Sequence, residues 1–286
     1  MPADIWAKWL DDADREGAAL DRQLRVLRSQ VRDRVLHKAG LGRGSRVLDL
    51  GCGMGFLSLE AARVVGPEGL VFALDSSEGA LEELSRRAEK AGLGNIRPRQ
   101  GDITRLPLED GAVDAVVARS VLSYVAARGE VLREAWRVLR AGGAISIFEP
   151  VLSEEELSLD WGEERFLWIR LRQLLESEHP AYGFKRADLV DAVRQAGFEQ
   201  VDSFTWHADV TRRFSGEEEA LDELESGLPG EFGLAAFWRR HGVSAGETAS
   251  IARRLAAQSV KPSYRDILPC VYVWGVRGGA GETKER

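Results

Sequence analysis

Cysteine is almost missing from this 286-residue chain, which has two, Cys52 and Cys270. They are far apart and show no C-x-x-C spacing, so a zinc or iron–sulfur framework is excluded and no metal is expected. A chain of this length buries a sufficient core without disulfides, and a reducing cytoplasm is its expected home. No apolar run approaches the roughly 20 residues needed to span a bilayer. The first residues, MPADIWAKWLDDADRE, are acidic and polar rather than a secretory signal. A soluble protein with no membrane partner is expected. Basic charge is also short: 39 Lys and Arg against 46 Asp and Glu leave a net charge of -7. That counts against a broad phosphate-binding surface and against a nucleic-acid partner. Internal repeats and low-complexity tracts are absent.

What remains is the composition of an ordinary globular protein, 44% hydrophobic and 30% charged. Residues 1–40 read as an N-terminal helical cap, with Leu20, Leu24, Leu27, Val31 and Val35 on one helical face. From residue 41 short apolar runs alternate with helical stretches. RVLDLG (46–51), LVFALD (70–75), NIRPRQGD (95–102), VDAVVARS (113–120) and AISIFEP (144–150) read as strands. Residues 56–65, 78–92 and 129–143 read as the helices between them. Strands apolar on both faces and separated by helices predict a doubly wound, mostly parallel α/β sheet. After Pro150 the pattern predicts a helical lid insertion over 151–186, a core helix and strand over 187–210, and a second helical insertion over 211–265. A seventh core strand is predicted within 266–277, and a flexible tail over 278–286.

The sharpest motif is Asp49-Leu50-Gly51-Cys52-Gly53-Met54-Gly55, between the first strand and the first sheet helix. Glycines let a backbone turn tightly against a ligand, and the helix behind them presents unpaired N–H groups. A nicotinamide fingerprint, G-x-G-x-x-G, requires glycine at position 56, which is Phe. Asp75 ends the second strand, before Ser76, where a carboxylate can take both ribose hydroxyls. A helix N-cap is the plainer role for that residue. Gly101-Asp102 and Ile103 end the third strand. Together these groups lie at the carboxyl ends of successive strands, the edge where open α/β sheets bind ligands.

The (D/E)-x-G-x-G-x-G arrangement resembles motif I of the class I S-adenosylmethionine (AdoMet)-dependent methyltransferases, whose fold is Rossmann-like. Leu106-Pro107-Leu108-Glu109-Asp110-Gly111-Ala112-Val113-Asp114 and Val138-Leu139-Arg140-Ala141-Gly142-Gly143 are similar to stretches of the branch containing ubiquinone- and menaquinone-pathway enzymes. The similarity covers about residues 44–150 and concerns fold and cofactor, not substrate. It implies AdoMet as cofactor, contacted by Asp49, Gly51, Cys52, Gly53, Gly55, Asp75, Ser76, Gly101, Asp102, Ile103, Arg119 and Ser120. Asp49 suits a ligand carrying a sulfonium and an ammonium, and Asp102 matches the family's acceptor from the adenine amino group. At the fourth strand's end Arg119 and Tyr124 depart from the branch's usual pattern, so no acceptor-site residue carries over there. Arg119 has three candidate partners: an acidic acceptor, Asp49 or Glu149.

Methyl transfer is an in-line displacement, so positioning and exclusion of water dominate. A general base is required only where the acceptor loses a proton; His207, His179 (with Tyr182 close behind) and Tyr124 are the candidates. Trp6, Trp9, Trp161, Trp168 and Trp238 lie outside the sheet segments, with Trp206 at their edge. They either line a pocket for a planar or hydrophobic acceptor or knit the cap together. An N-P-P-[YF] motif is absent, two scattered thiols do not suit arsenite, and no catechol-type Mg²⁺ signature appears. The favoured reading is O-, N- or C-methylation of a small molecule. A tRNA or protein methyltransferase and a catalytically silent AdoMet-binding partner subunit are the alternatives, with a nicotinamide oxidoreductase more distant.

Overall fold

The computed structural model describes residues 22–226 and 233–279, with side chains from Ser29 onward. Part of the expected N-terminal cap, including Trp6, Trp9 and Leu20, lies outside the described residues. So do the side chains of Leu24 and Leu27 and the tail from residue 280. In chain order the elements are α1 (Arg22–Lys38), β1 (Arg46–Leu50), α2 (Ser58–Val65), β2 (Leu70–Asp75), α3 (Glu78–Lys90) and β3 (Ile96–Gln100). There follow β4 (Val113–Arg119), α4 (Arg128–Val138), β5 (Leu139–Pro150), β6 (Glu156–Ser158), α5 (Arg165–Glu178) and α6 (Arg186–Gln195). The last are β7 (Phe198–Asp209), α7 (Glu217–Ser226), α8 (Leu234–Arg240), α9 (Ala245–Ser259) and β8 (Arg265–Arg277). The described residues fall into two compact units. One holds those up to Glu149, Arg186–Thr205 and those from Val271; the other holds Pro150–Lys185 and Trp206–Cys270.

The first unit is built on the sheet order β3-β2-β1-β4-β5-β8, with β7 paired to β8. β1, β2, β3, β4 and β5 pair in parallel. Val47, Leu48 and Leu50 of β1 and Val116, Val117 and Ala118 of β4 are buried on both faces, as expected of central strands covered by helices. β3 is the edge: only Ile96 is buried, and Pro98, which has no N–H to donate, is tolerated there. The chain moves outward from β1 to β2 and β3, then returns to β4. That reversal opens a crevice at the carboxyl ends of β1 and β4.

Four boundaries differ from the sequence pattern. The helix expected to run to Gly143 ends at Val138, and Leu139 already pairs with Val113 ahead of a register shift. Residues 153–164, read as helical, form two 3-10 turns and the short strand β6 before α5 begins. β6 pairs antiparallel with the start of β8, Leu157 facing Asp266, so the described residues form eight strands, one more than the seven expected. β8 itself starts at Arg265, one residue before the stretch expected to hold it. Three residues of alternating character give too little periodicity to separate a strand from a helix.

The second unit packs α5, α7, α8 and α9 around Leu171, Leu175, Trp238, Ile251 and Leu255. Trp238 is fully buried in this core, and Trp161 stacks on Trp168 with ring centroids 4.3 Å apart. A reciprocal capping box, Ser244 with Glu247, starts α9. Among the described residues, no helix is long and apolar enough to cross a membrane.

Candidate functional site

The residues before α2 form the centre of the site. Gly51, Gly53 and Gly55 have φ of 62°, 50° and 88°, in the left-handed region that favours glycine. At Gly51 an added Cβ would also lie 2.4 Å from a Val121 methyl, so the turn and its neighbour are in close contact. The N–H of Cys52 donates to the Leu74 carbonyl at 3.0 Å, which carries the β1–β2 ladder two residues past the end of β1. Asp49, on β1, is 1% exposed, and its Oδ2 accepts the Ser58 hydroxyl at 2.5 Å. Burial pushes its carboxyl up to about 7, against the pull of the Ser58 bond, and the Asp75 charge raises it further. Burial and the same two acids push the Cys52 thiol up, making it an inert lining group rather than a nucleophile.

Asp75, at the end of β2, accepts the N–H of Gly53 on Oδ2 at 2.8 Å and that of Ser77 on Oδ1 at 2.9 Å. The cap of α3 is Ser77, whose hydroxyl accepts from Ala80; Asp75 braces the glycine turn instead. Ser76 is exposed, and its carbonyl accepts from Gln100. Gly101 continues the β2–β3 ladder by donating to the Asp75 carbonyl at 3.0 Å. Asp102 is exposed, and the Thr104 N–H on its Oδ1 holds it below the usual carboxylate range. Ile103 beside it is half-buried.

At the end of β4 the Arg119 guanidinium lies 4.5 Å over the ring of Phe56, the residue that breaks the nicotinamide fingerprint. Ser120 takes φ of 55°, and its N–H donates to the Phe148 carbonyl. The following 3-10 turn, Leu122–Tyr124, is held by Glu149, a fully buried side chain on β5. Its Oε1 accepts from the N–H groups of Val121 and Leu122, both at 2.9 Å, and its Oε2 from Ser123 at 3.3 Å. Burial raises the Glu149 carboxyl while these N–H groups lower it. Burial, then the Glu149 charge, pushes the Tyr124 phenol upward.

The first unit thus brings Asp49, the glycines, Cys52, Asp75, Ser76, Gly101, Asp102, Ile103, Arg119, Ser120 and Tyr124 to one edge of one sheet. The two histidines belong to the second unit. His179 is buried between Tyr182 and Phe237, its Nδ1 accepting the Ala181 N–H at 3.2 Å. His207 is an exposed residue of β7. Ser58, Phe56, Arg128 and the grip of Glu149 on the backbone were not foreseen. The one sequence signal was an acid closing the apolar run Ile145-Ser146-Ile147-Phe148.

Acids stand at the ends of three adjacent strands, and residues 49–55, 75–77 and 101–103 contain no Lys or Arg. That set of acceptors suits a nucleoside with free hydroxyls and a positive charge rather than a diphosphate. A parallel sheet with this loop at its switch point defines a Rossmann-like enzyme of the nucleoside-cofactor class. Residues 41–189, more than half of the chain, match the methyltransferase-domain family, and the chain belongs to it. It is a class I methyltransferase whose cofactor is S-adenosylmethionine. The demethylmenaquinone methyltransferase of Geobacillus kaustophilus is 30% identical over 183 residues, which are 60% of this chain and 78% of that one. A 37.1 kDa protein in transposon TN4556 of Streptomyces fradiae is 41% identical over 118 residues. That match takes 41% of this chain and spans a third of the relative's length. The YcgJ protein of Bacillus subtilis shares the fold, with a TM-score of 0.58 at 16% identity over 88% of this chain and all of that one.

Proposed function

We propose that the chain transfers the AdoMet methyl group to a small-molecule acceptor. The cofactor supplies a methyl carbon already activated by its sulfonium. The chain's own residues hold that donor, orient the acceptor and exclude water. In this reading Asp75, at the carboxyl end of β2, accepts the ribose hydroxyls. Asp102 and Ile103 meet the adenine, and the backbone of Gly51–Gly55 lies against the amino-acid end. Asp49 supplies the negative charge that the cationic cofactor needs. Its burial makes that charge worth more than an exposed carboxylate's. Ser76, Gly101, Arg119 and Ser120 complete the rim, and Cys52 packs.

The observation that carries this reading is the acid-lined glycine turn, with Asp75 bonded to Gly53 across it. The small-molecule acceptor is supported by the net charge of -7, unfavourable for a polyanion, and by the name of the quinone-pathway relative. Tyr124 is the acceptor-side group within the first unit. Its raised phenol suits hydrogen bonding rather than proton removal. Of the two candidate histidines, His207 is the one exposed to solvent, and His179, enclosed by aromatic rings, serves packing. Incubation with methyl-tritiated AdoMet and a whole-cell extract, which holds both small molecules and macromolecules, tests the acceptor class. Label is expected in the acid-soluble, organic-extractable fraction. Label confined to precipitated RNA or protein overturns the small-molecule reading.

A further inference from the structure

Glu149 is a fully buried acid that methyl transfer itself does not require. Its bonds run to the backbone N–H groups of Val121, Leu122 and Ser123, three consecutive donors of a turn that has just left β4. The carbonyls of the same turn are gripped from the other chemical side. Arg128, in the first turn of α4, donates from Nε to the Leu122 carbonyl at 2.8 Å and from Nη2 to the Ser123 carbonyl at 3.4 Å. A carboxylate on the donors and a guanidinium on the acceptors leave the turn little freedom, because each bond is charge-assisted in a shielded place.

The turn is not an isolated loop. Val121 packs against Gly51 so closely that a Cβ there would overlap its Cγ2. One residue before the left-handed Ser120, Arg119 lies over Phe56 at the other end of the glycine segment. The β4 end therefore braces the glycine segment at both ends, and Tyr124 rides on the same turn.

We propose that Glu149 and Arg128 are positioning residues: together they lock the 121–124 turn, and through Val121 the turn sets the shape of the glycine cradle for AdoMet. The pair needs no contact with the cofactor. A backbone held at both its N–H and C=O groups cannot shift, so Val121 meets Gly51 already in place. Cofactor binding then does not bear the cost of ordering that wall. This inference rests on placing the cofactor at the glycine turn.

The test compares Glu149→Gln, Arg128→Met and Val193→Ala with the wild-type chain. Val193 is a fully buried residue of α6 and serves as the stability control. The Glu149→Gln side chain would retain one acceptor oxygen but turn an N–H₂ group toward a backbone donor. S-adenosylhomocysteine affinity is measured by titration calorimetry below each variant's melting range, and amide exchange is followed at residues 121–123. The expected result is a Kd raised about tenfold in Glu149→Gln and Arg128→Met, with faster exchange at those amides. Val193→Ala should stay within about twofold of wild type, since destabilisation elsewhere does not reshape the cradle. Unchanged Kd in the two positioning variants overturns the proposal, as does a rise matched by the control. If no chain binds S-adenosylhomocysteine, the cofactor placement itself fails. Unaltered exchange at 121–123 in Glu149→Gln would then overturn the lock on its own.

Discussion

The Asp75 carboxylate and the Gly53 N–H meet at 2.8 Å, which ties the end of β2 to the turn after β1. The bond makes the acid part of the cradle's framework before any ligand arrives, with Ser77 fixing its second oxygen. Preorganisation of this kind lowers the cost of binding. Asp75→Ala removes both acceptors and leaves the Gly53 N–H without its partner, a loss of about 1–3 kcal/mol in the ligand-free protein. Thermal melts should show that loss, and adding S-adenosylhomocysteine should no longer raise the midpoint. Asp75→Asn should keep part of the fold stability, because its carbonyl oxygen still accepts one N–H, but little of the ligand shift. A full ligand shift in Asp75→Ala would remove this residue from the ribose role.

Gly51→Ala tests the turn. The residue has φ of 62°, which costs an L side chain roughly 1–2 kcal/mol, and the new methyl would press on the β-branched, rotamer-restricted Val121. We expect a lower melting midpoint and cofactor affinity reduced at least tenfold. Gly40→Ala, with a similar φ of 65° but open space around it, should show the backbone cost without the loss of affinity.

Much of this was legible because the relevant signals are local. A glycine turn between an apolar strand and a helix, with acids at fixed steps beyond it, depends on backbone conformation and strand ends, which sequence spacing encodes. β1, β2 and β4 are buried on both faces and were readable as apolar runs. β6 was not, since three residues paired to a strand more than 100 positions later carry no periodicity. The grip of Glu149 on the 121–123 amides was equally hidden. It joins groups 26–28 residues apart through the adjacency of β4 and β5, which is set by the whole sheet. The histidines illustrate the opposite difficulty. His179 is a general-base candidate by residue type alone, and the same residue types also pack edge to face, as His179 and Tyr182 do here.

The carboxyls of Glu155 and Asp266 give the second unit a pH response. Glu155 precedes β6, and Asp266 faces Leu157 from β8, so the strand pairing brings two acids together. Burial raises both. The Asp266 charge raises Glu155 further, and Asp209 and Glu223 do the same to Asp266. Arg172, 3.7 Å from Glu155, partly offsets this. Raised carboxyls bind protons more tightly folded than unfolded, so this pair's contribution to stability is fully present below the ordinary carboxylate range and is lost as pH rises through the folded values. Asp266→Asn keeps a hydrogen-bonding side chain and removes one charge. Its melting midpoint should fall less steeply than that of wild type between about pH 4 and about pH 8. Parallel curves for the two proteins would refute the paired-acid account.

Asp49 links the fold's pH dependence to the cofactor. Its carboxyl moves from the ordinary 3.8 to about 7 in the folded chain. Between these values the folded state holds a proton that the unfolded state releases, so this group's contribution to stability declines by up to about 1.4 kcal/mol per pH unit. Above about 7 both states are ionised and the contribution levels off. Asp49→Asn should therefore flatten the ligand-free melting curve over that window. Binding reverses the balance: a sulfonium and an ammonium beside Asp49 favour its charged form. Near pH 7 about half the molecules carry the proton beforehand, so AdoMet binding should release roughly half a proton per site. Calorimetric titrations in buffers of different ionisation enthalpy read that number directly. S-adenosylhomocysteine, which lacks the sulfonium charge, should release less. An AdoMet binding enthalpy that does not vary with buffer would mean that Asp49 does not change its charge toward the cofactor.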